Sequence, residues 1–114
     1  MAISFNGIGD ITATFYGDVE EGDIVKVSSS KTVTKAAQGE EFTGICRASS
    51  DDICAVTVRG FMTLGYSGAA PSIGNVKLAC AGNNKVKVSS ADEAEIDALV
   101  VDVDTTEKSV TILL

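Results

Sequence analysis

Along most of its length the chain alternates apolar and polar residues with a period of two, in short runs that end at Gly, Asn, Asp or Ser. In Ile11-Thr12-Ala13-Thr14-Phe15-Tyr16 and Ser109-Val110-Thr111-Ile112-Leu113 this places successive side chains on opposite faces of an extended backbone, a pattern that a helix does not bury on one side. It predicts strands at Ile11–Tyr16, Asp23–Ser28, Thr32–Ala36, Phe42–Ala48, Ile53–Arg59, Phe61–Leu64, Val76–Ala79, Lys85–Ser89, Ala98–Val103 and Ser109–Leu113. Many short strands between turn residues make an all-β fold, a small single-domain β-barrel or a sandwich of antiparallel hairpins. With 114 residues there is room for one domain, assigned to residues 11–114, preceded by a flexible N-terminal arm at residues 1–10.

Four turns carry the clearest local chemistry: Ser28–Lys31, Ser49–Asp52, Ala81–Asn84 and Asp104–Glu107 each lie between two predicted strands. Gly, Asn, Asp and Ser tolerate tight-turn backbone geometry, so each of these is expected to close a hairpin. The single helical candidate is Ser90–Asp97, where Ser90 and Glu93 have capping-box spacing; one helical turn or an acidic loop is expected there. Two segments also echo one another. Gly22-Asp23-Ile24-Val25-Lys26-Val27 resembles Gly74-Asn75-Val76-Lys77-Leu78, and Val56-Thr57-Val58 resembles Val110-Thr111-Ile112. Either β composition alone produces these echoes, or the chain is two related four-strand units completing a common barrel or sandwich.

Residue types narrow the chemistry. The chain has no His, which removes Ser-His-Asp, Cys-His and His-metal arrangements, and no enzymatic activity is expected. Asp102 and Asp104 fall on one face of a strand, and Asp18, Glu20, Glu21 and Asp23 crowd a turn; both clusters read as solvated surface, though a paired-carboxylate hydrolase is the enzyme reading they leave open. Neither cluster has the spacing of a calcium loop, so no metal and no cofactor is expected. The net charge is −7 and the nine Lys and Arg residues are scattered, so there is no basic stripe for phosphate and no nucleic-acid partner is expected. Aromatic residues make up 5% and Trp is absent, which is poor material for stacking sugars or bases. Cys46, Cys54 and Cys80 form no Cys-x-x-Cys pair and read as free thiols, with a Cys46–Cys54 pairing left to the register of one hairpin. No segment reads as a secretory signal or membrane span, so synthesis in the cytoplasm and no membrane partner are expected.

Two segments point to association instead. Ile3 and Phe5 alternate in the arm ahead of Gly7-Ile8-Gly9, which suits an extended segment docking two side chains into a neighbour. Gly60–Gly74 carries no charge, holds the one Pro, and includes Tyr66, Ala69, Ala70, Pro71 and Ile73. An uncharged stretch in an acidic chain is either an interface or a core strand followed by a buried loop.

The order Gly22-Asp23-Ile24-Val25-Lys26-Val27, Gly39–Ile45, Cys54–Gly60, Gly74–Leu78 and Ser109–Leu114 resembles the capsid decoration, or head-stabilising cement, proteins of tailed bacteriophages, over roughly residues 17 to 114. That resemblance implies a small β-barrel or sandwich that forms a homotrimer on the outer surface of the virion and clamps the major capsid protein lattice. By the same resemblance Ile3 and Phe5 are capsid contacts, and Tyr66, Ala69, Ala70, Pro71 and Ile73 are oligomer or capsid contacts. The acidic stretch Asp92–Asp97 has no family counterpart. A non-catalytic ligand-binding module, for instance for glycans, is the alternative from another class.

Overall fold

The computed structural model describes residues 10–90 and 93–114. Ten strands are present among them: β1 (Ile11–Tyr16), β2 (Ile24–Ser29), β3 (Thr32–Lys35), β4 (Gly44–Ser50), β5 (Ile53–Arg59), β6 (Phe61–Tyr66), β7 (Gly74–Gly82), β8 (Lys85–Val88), β9 (Ile96–Asp104) and β10 (Ser109–Leu113). They form two closed five-strand barrels, the first from β1–β5 in the order β1-β3-β2-β4-β5 and the second from β6–β10 in the order β6-β8-β7-β9-β10. The chain is therefore all-β and built of two related halves, but each half closes on itself with five strands rather than contributing four to a common barrel.

All four expected hairpins are present, at β2–β3, β4–β5, β7–β8 and β9–β10. In two of them the loop is two residues long with both at positive φ, Asp51 (49°) and Asp52 (65°) in one, Asn83 (52°) and Asn84 (58°) in the other. Such loops twist in the same sense as the strands they join, and Asp and Asn are the non-glycine residues that best tolerate them. Parallel pairing of β1 with β3, through Tyr16 and Thr32, and of β6 with β8 closes each barrel. Local pattern reading misses these pairs because they join strands that are not sequence neighbours. Of the two readings of Ser90–Asp97, the helical turn is corrected and the acidic loop is kept up to Glu95: no helix forms among the described residues, and Ile96 and Asp97 begin β9. Only a turn remains, in which the Glu93 N–H donates to the Ser90 carbonyl and the Ser90 N–H to Glu93 Oε1.

The repetition extends to irregularities. Each half has a bulge in its second strand, with Ser28 extra between the pairs Val27–Val33 and Ser29–Thr32, and Ala81 extra between Cys80–Val86 and Gly82–Lys85. Each also has one in its fourth strand, at Arg47 between Cys46–Val56 and Ala48–Ala55, and at Val101 between Val100–Ile112 and Asp102–Thr111. Bulges pin register, so Val27 matches Cys80, Val33 matches Val86, Cys46 matches Val100, and Val56 matches Ile112. The sequence echo had set Val56 against Val110, a slip of two residues that keeps every side chain on its face and so is invisible to a period-two pattern.

Two cores result. Val19, Val25, Val33, Cys46, Cys54 and Val56 fill the first barrel. The larger cluster contains Met62, Leu64, Tyr66, Leu78, Val86, Val100, Val110 and Ile112 of the second barrel, joined by Ile24, Ala36, Phe42 and Ile45 from the first half. The halves are thus fused through shared apolar packing, and burial of that kind is worth about 25 cal/mol for each Å² removed from water.

Candidate interaction surfaces

The predicted contacts fall in different places. Ile3 and Phe5 lie outside the described residues. Tyr66 is the last residue of β6 and is buried in the larger core, and Pro71 is buried in the loop after it. Ala69, Ala70 and Ile73 of the same loop are exposed, Ile73 to 67%. The uncharged stretch therefore divides into a core strand, as one of its two readings expected, and a loop that is exposed around a buried Pro71 rather than buried throughout.

Sequence reading missed a second uncharged surface, on the outside of the first barrel. Phe15, Cys54 and Val56 point inward, so the alternate residues Thr14 and Tyr16 of β1, Ile53 and Ala55 of β5, and Ala48 and Ser50 of β4 share the outer face. Cross-strand pairing sets Tyr16 against Ile53, Thr14 against Ala55, Ala48 against Ala55 and Ser50 against Ile53. Tyr16 and Ile53 are both about half exposed, and depressions of about 420 and 220 Å³ lie on this face. Lys31 and Asp51 stand at its edge. The matched positions in the second barrel are different: Asp102 stands where Ala48 does and Asp104 where Ser50 does. Alternation could have shown that Tyr16 and Ile53 face outward, but their pairing required the β1–β5 register, which is not local.

One carboxylate from each acidic cluster, Asp104 and Asp23, is occupied with turn formation. Asp104 Oδ1 accepts the N–H groups of Thr106 and Glu107, both at 3.0 Å. Asp23 is buried; its Oδ2 accepts the Glu20 N–H at 3.0 Å and its Oδ1 accepts Asn84 Nδ2 at 2.8 Å. Burial pushes the Asp23 carboxyl up, but those hydrogen bonds and the nearby charge of Lys35 outweigh it and hold the group below its ordinary value. In the acidic stretch, Glu93 pairs with Lys87 and Glu95 with Lys77. Hydrogen bonding from Lys87, then from the Ser90 N–H and hydroxyl, lowers the Glu93 carboxyl to about 2. Among the described residues no group of three or more His, Cys, Asp or Glu is placed to hold a metal ion.

Cys46, Cys54 and Cys80 are free and buried. The β4–β5 register sets Cys46 opposite Val56 and Cys54 opposite Ser49, so the two cysteines are not direct cross-strand partners. Their thiols donate instead to the Ala48 and Phe15 carbonyls, at 3.4 and 3.7 Å, and burial raises both above the ordinary thiol value.

A third feature joins the halves. The segment following β3 runs along β7: the Gly39 N–H donates to the Cys80 carbonyl and the Cys80 N–H to the Glu40 carbonyl, both at 2.8 Å, while Cys80 Sγ donates to the Ala36 carbonyl at 3.4 Å. From the other side the β7–β8 turn returns to the first half, where Asn84 Oδ1 accepts the Ile24 N–H at 3.1 Å and Asn84 Nδ2 donates to Asp23. A cleft of about 420 Å³ at this junction is lined by Phe42, Thr43, Arg59, Ile96, Asp97 and Leu114. Compared with protein-family models, with curated proteins and with solved structures, the chain matches none.

Proposed function

We propose that this protein is a structural, non-enzymatic capsid decoration protein of a tailed bacteriophage, one that binds the outer surface of the virion head as a trimer and braces the major capsid protein lattice. The observation that carries the reading is the uncharged outer face of Thr14, Tyr16, Ala48, Ser50, Ile53 and Ala55 in a chain of net charge −7. Interface cores are depleted in charge and enriched in aromatic residues, and this face has that character within an acidic surface. The order of hairpin motifs from Gly22 to Leu114, similar to that of decoration proteins, supports the partner. A bracing role needs no catalytic group: symmetric copies that engage several lattice subunits at once turn modest interfaces into high avidity.

The test is co-sedimentation with purified phage heads. The protein is expected to pellet with expanded heads and to remain in the supernatant with unexpanded ones, and Ile53→Glu is expected to weaken binding at least tenfold while leaving the melting transition in place. Equal recovery with and without heads would contradict the proposal. A glycan-binding module would instead give saturable binding to a sugar, with no preference for expanded heads.

A further inference from the structure

We infer that copies of this chain associate head to tail, the second half of one copy docking on the first half of the next with the same geometry by which the first half docks on the second within the chain. The inference deepens the self-association part of the proposed function and rests on that part alone.

The two halves share strand order, parallel closures and the bulges of their second and fourth strands, which match residues across those hairpins, although β4 meets β2 two residues out of step with the way β9 meets β7. The turn that leads into the junction is matched as well. In the first half the Ala37 N–H donates to Glu40 Oε1, the Glu40 N–H donates to the Ala37 carbonyl, and Glu40 pairs with Lys26. In the second half Ser90 and Glu93 make the same two bonds and Glu93 pairs with Lys87. Both halves therefore carry a docking turn, and both carry the strand on which such a turn docks.

Only one of the two docking events occurs inside the chain. The first half's turn covers Cys80, whose main chain it bonds on both sides, and Ile45 is buried in the shared core by the same packing. Two matched residues on the unused surfaces are exposed and apolar, while Lys77 stands at the position matched to the buried Ile24 and pairs there with Glu95. Val27, the counterpart of Cys80, is 49% exposed where Cys80 is 0%. Leu99, the counterpart of Ile45 by its place one residue before the matched bulge pairs, is 36% exposed where Ile45 is 8%. Matched positions away from the junction show no such difference: Val33 and Val86, Cys46 and Val100, and Val56 and Ile112 are all buried. The Val27 N–H donates to Thr43 Oγ1 of its own half at 3.2 Å, and among the described residues no group of the second half bonds to it.

A junction that joins two different surfaces is heterologous, and repeating it either closes a ring or propagates a filament. Each chain uses one surface of each kind internally and leaves the complementary pair, around Val27 and around Leu99, for its neighbours. The Ala94 N–H donates to the Gly39 carbonyl at 3.3 Å, so the two docking turns lie side by side, as matched elements do near the axis of a closed ring. In a ring of three chains, first and second halves alternate around that axis.

The test uses two surface substitutions in the full chain, Val27→Glu and Leu99→Glu, each on an exposed side chain. Each variant alone is expected to sediment as a monomer of 11.7 kDa with an unchanged circular dichroism spectrum, because every copy lacks one of its two surfaces. An equimolar mixture is expected to recover a species of two chains, since V27E retains an intact Leu99 surface and L99E an intact Val27 surface. Wild-type mass in either single variant, or a mixture that stays monomeric, overturns the inference. Assembly that responds in this way in a protein that ignores phage heads would leave the inference standing and remove the capsid reading.

Discussion

Replacing Gly44 with Ala is expected to lower the melting midpoint by roughly 10 °C, which corresponds to about 3 kcal/mol for a domain of this size. A Cβ at Gly44 would lie 1.9 Å from the Thr57 carbonyl oxygen, 2.9 Å from its carbon and 3.2 Å from Val56 Cγ1. The first two are main-chain atoms of β5, the strand that pairs with β4, and cannot swing aside as a side chain would. Gly44 also pairs with Val25, so it stands where β4 passes between β2 and β5 in the first barrel. Gly22→Ala is the control. Gly22 has a φ of 93° but nothing within 4 Å of its Cβ position, so only backbone strain applies, about 1–2 kcal/mol. Equal midpoints for the two variants in thermal denaturation would contradict the close approach.

Asn84→Asp is expected to cost about 3 kcal/mol at pH 7, through a charge set against the buried Asp23 carboxylate. The substitution preserves shape. One oxygen can still accept the Ile24 N–H, but the other replaces a donor 2.8 Å from Asp23 Oδ1. Two carboxylates that close raise one another, so the penalty is present at neutral pH and is relieved as pH falls through the raised value toward the ordinary range near about 4. The wild-type protein has the opposite sign. Its Asp23 is held below the ordinary 3.8, so the stability it contributes is complete above that value and is lost as pH falls through the depressed one. Urea melts at pH 7 and pH 4 therefore separate the two: the difference between variant and wild type is expected to shrink at the lower pH, and a constant difference would contradict the contact.

What was legible in the sequence follows the range of the forces involved. Strands β1, β5 and β10 lie where alternation placed them, at Ile11–Tyr16, Ile53–Arg59 and Ser109–Leu113, and the four hairpins follow from turn residues that tolerate positive φ. Strand β4 was expected at Phe42–Ala48 but starts at Gly44, because Phe42 leaves the first barrel's sheet to pack in the core shared with the second. Tyr66 read as part of a contact loop because β6 was ended at Leu64, whereas β6 continues through Tyr66, whose ring fills the second barrel. The internal repeat was visible as a faint echo, but its register was set by bulges at Ser28, Arg47, Ala81 and Val101, which leave no compositional trace. The surfaces were least legible. Val27 and Cys80 are both ordinary inward-or-outward strand residues in sequence, and only their unequal burial at matched positions sets them apart.

Light scattering coupled to size exclusion is the most direct measurement, since the proposed function requires this protein to associate with its own kind as well as with a shell. The wild-type chain is expected to elute as one discrete species of three times the 11.7 kDa chain mass and to keep that mass on dilution through the micromolar range. A species of 11.7 kDa at every concentration would contradict it.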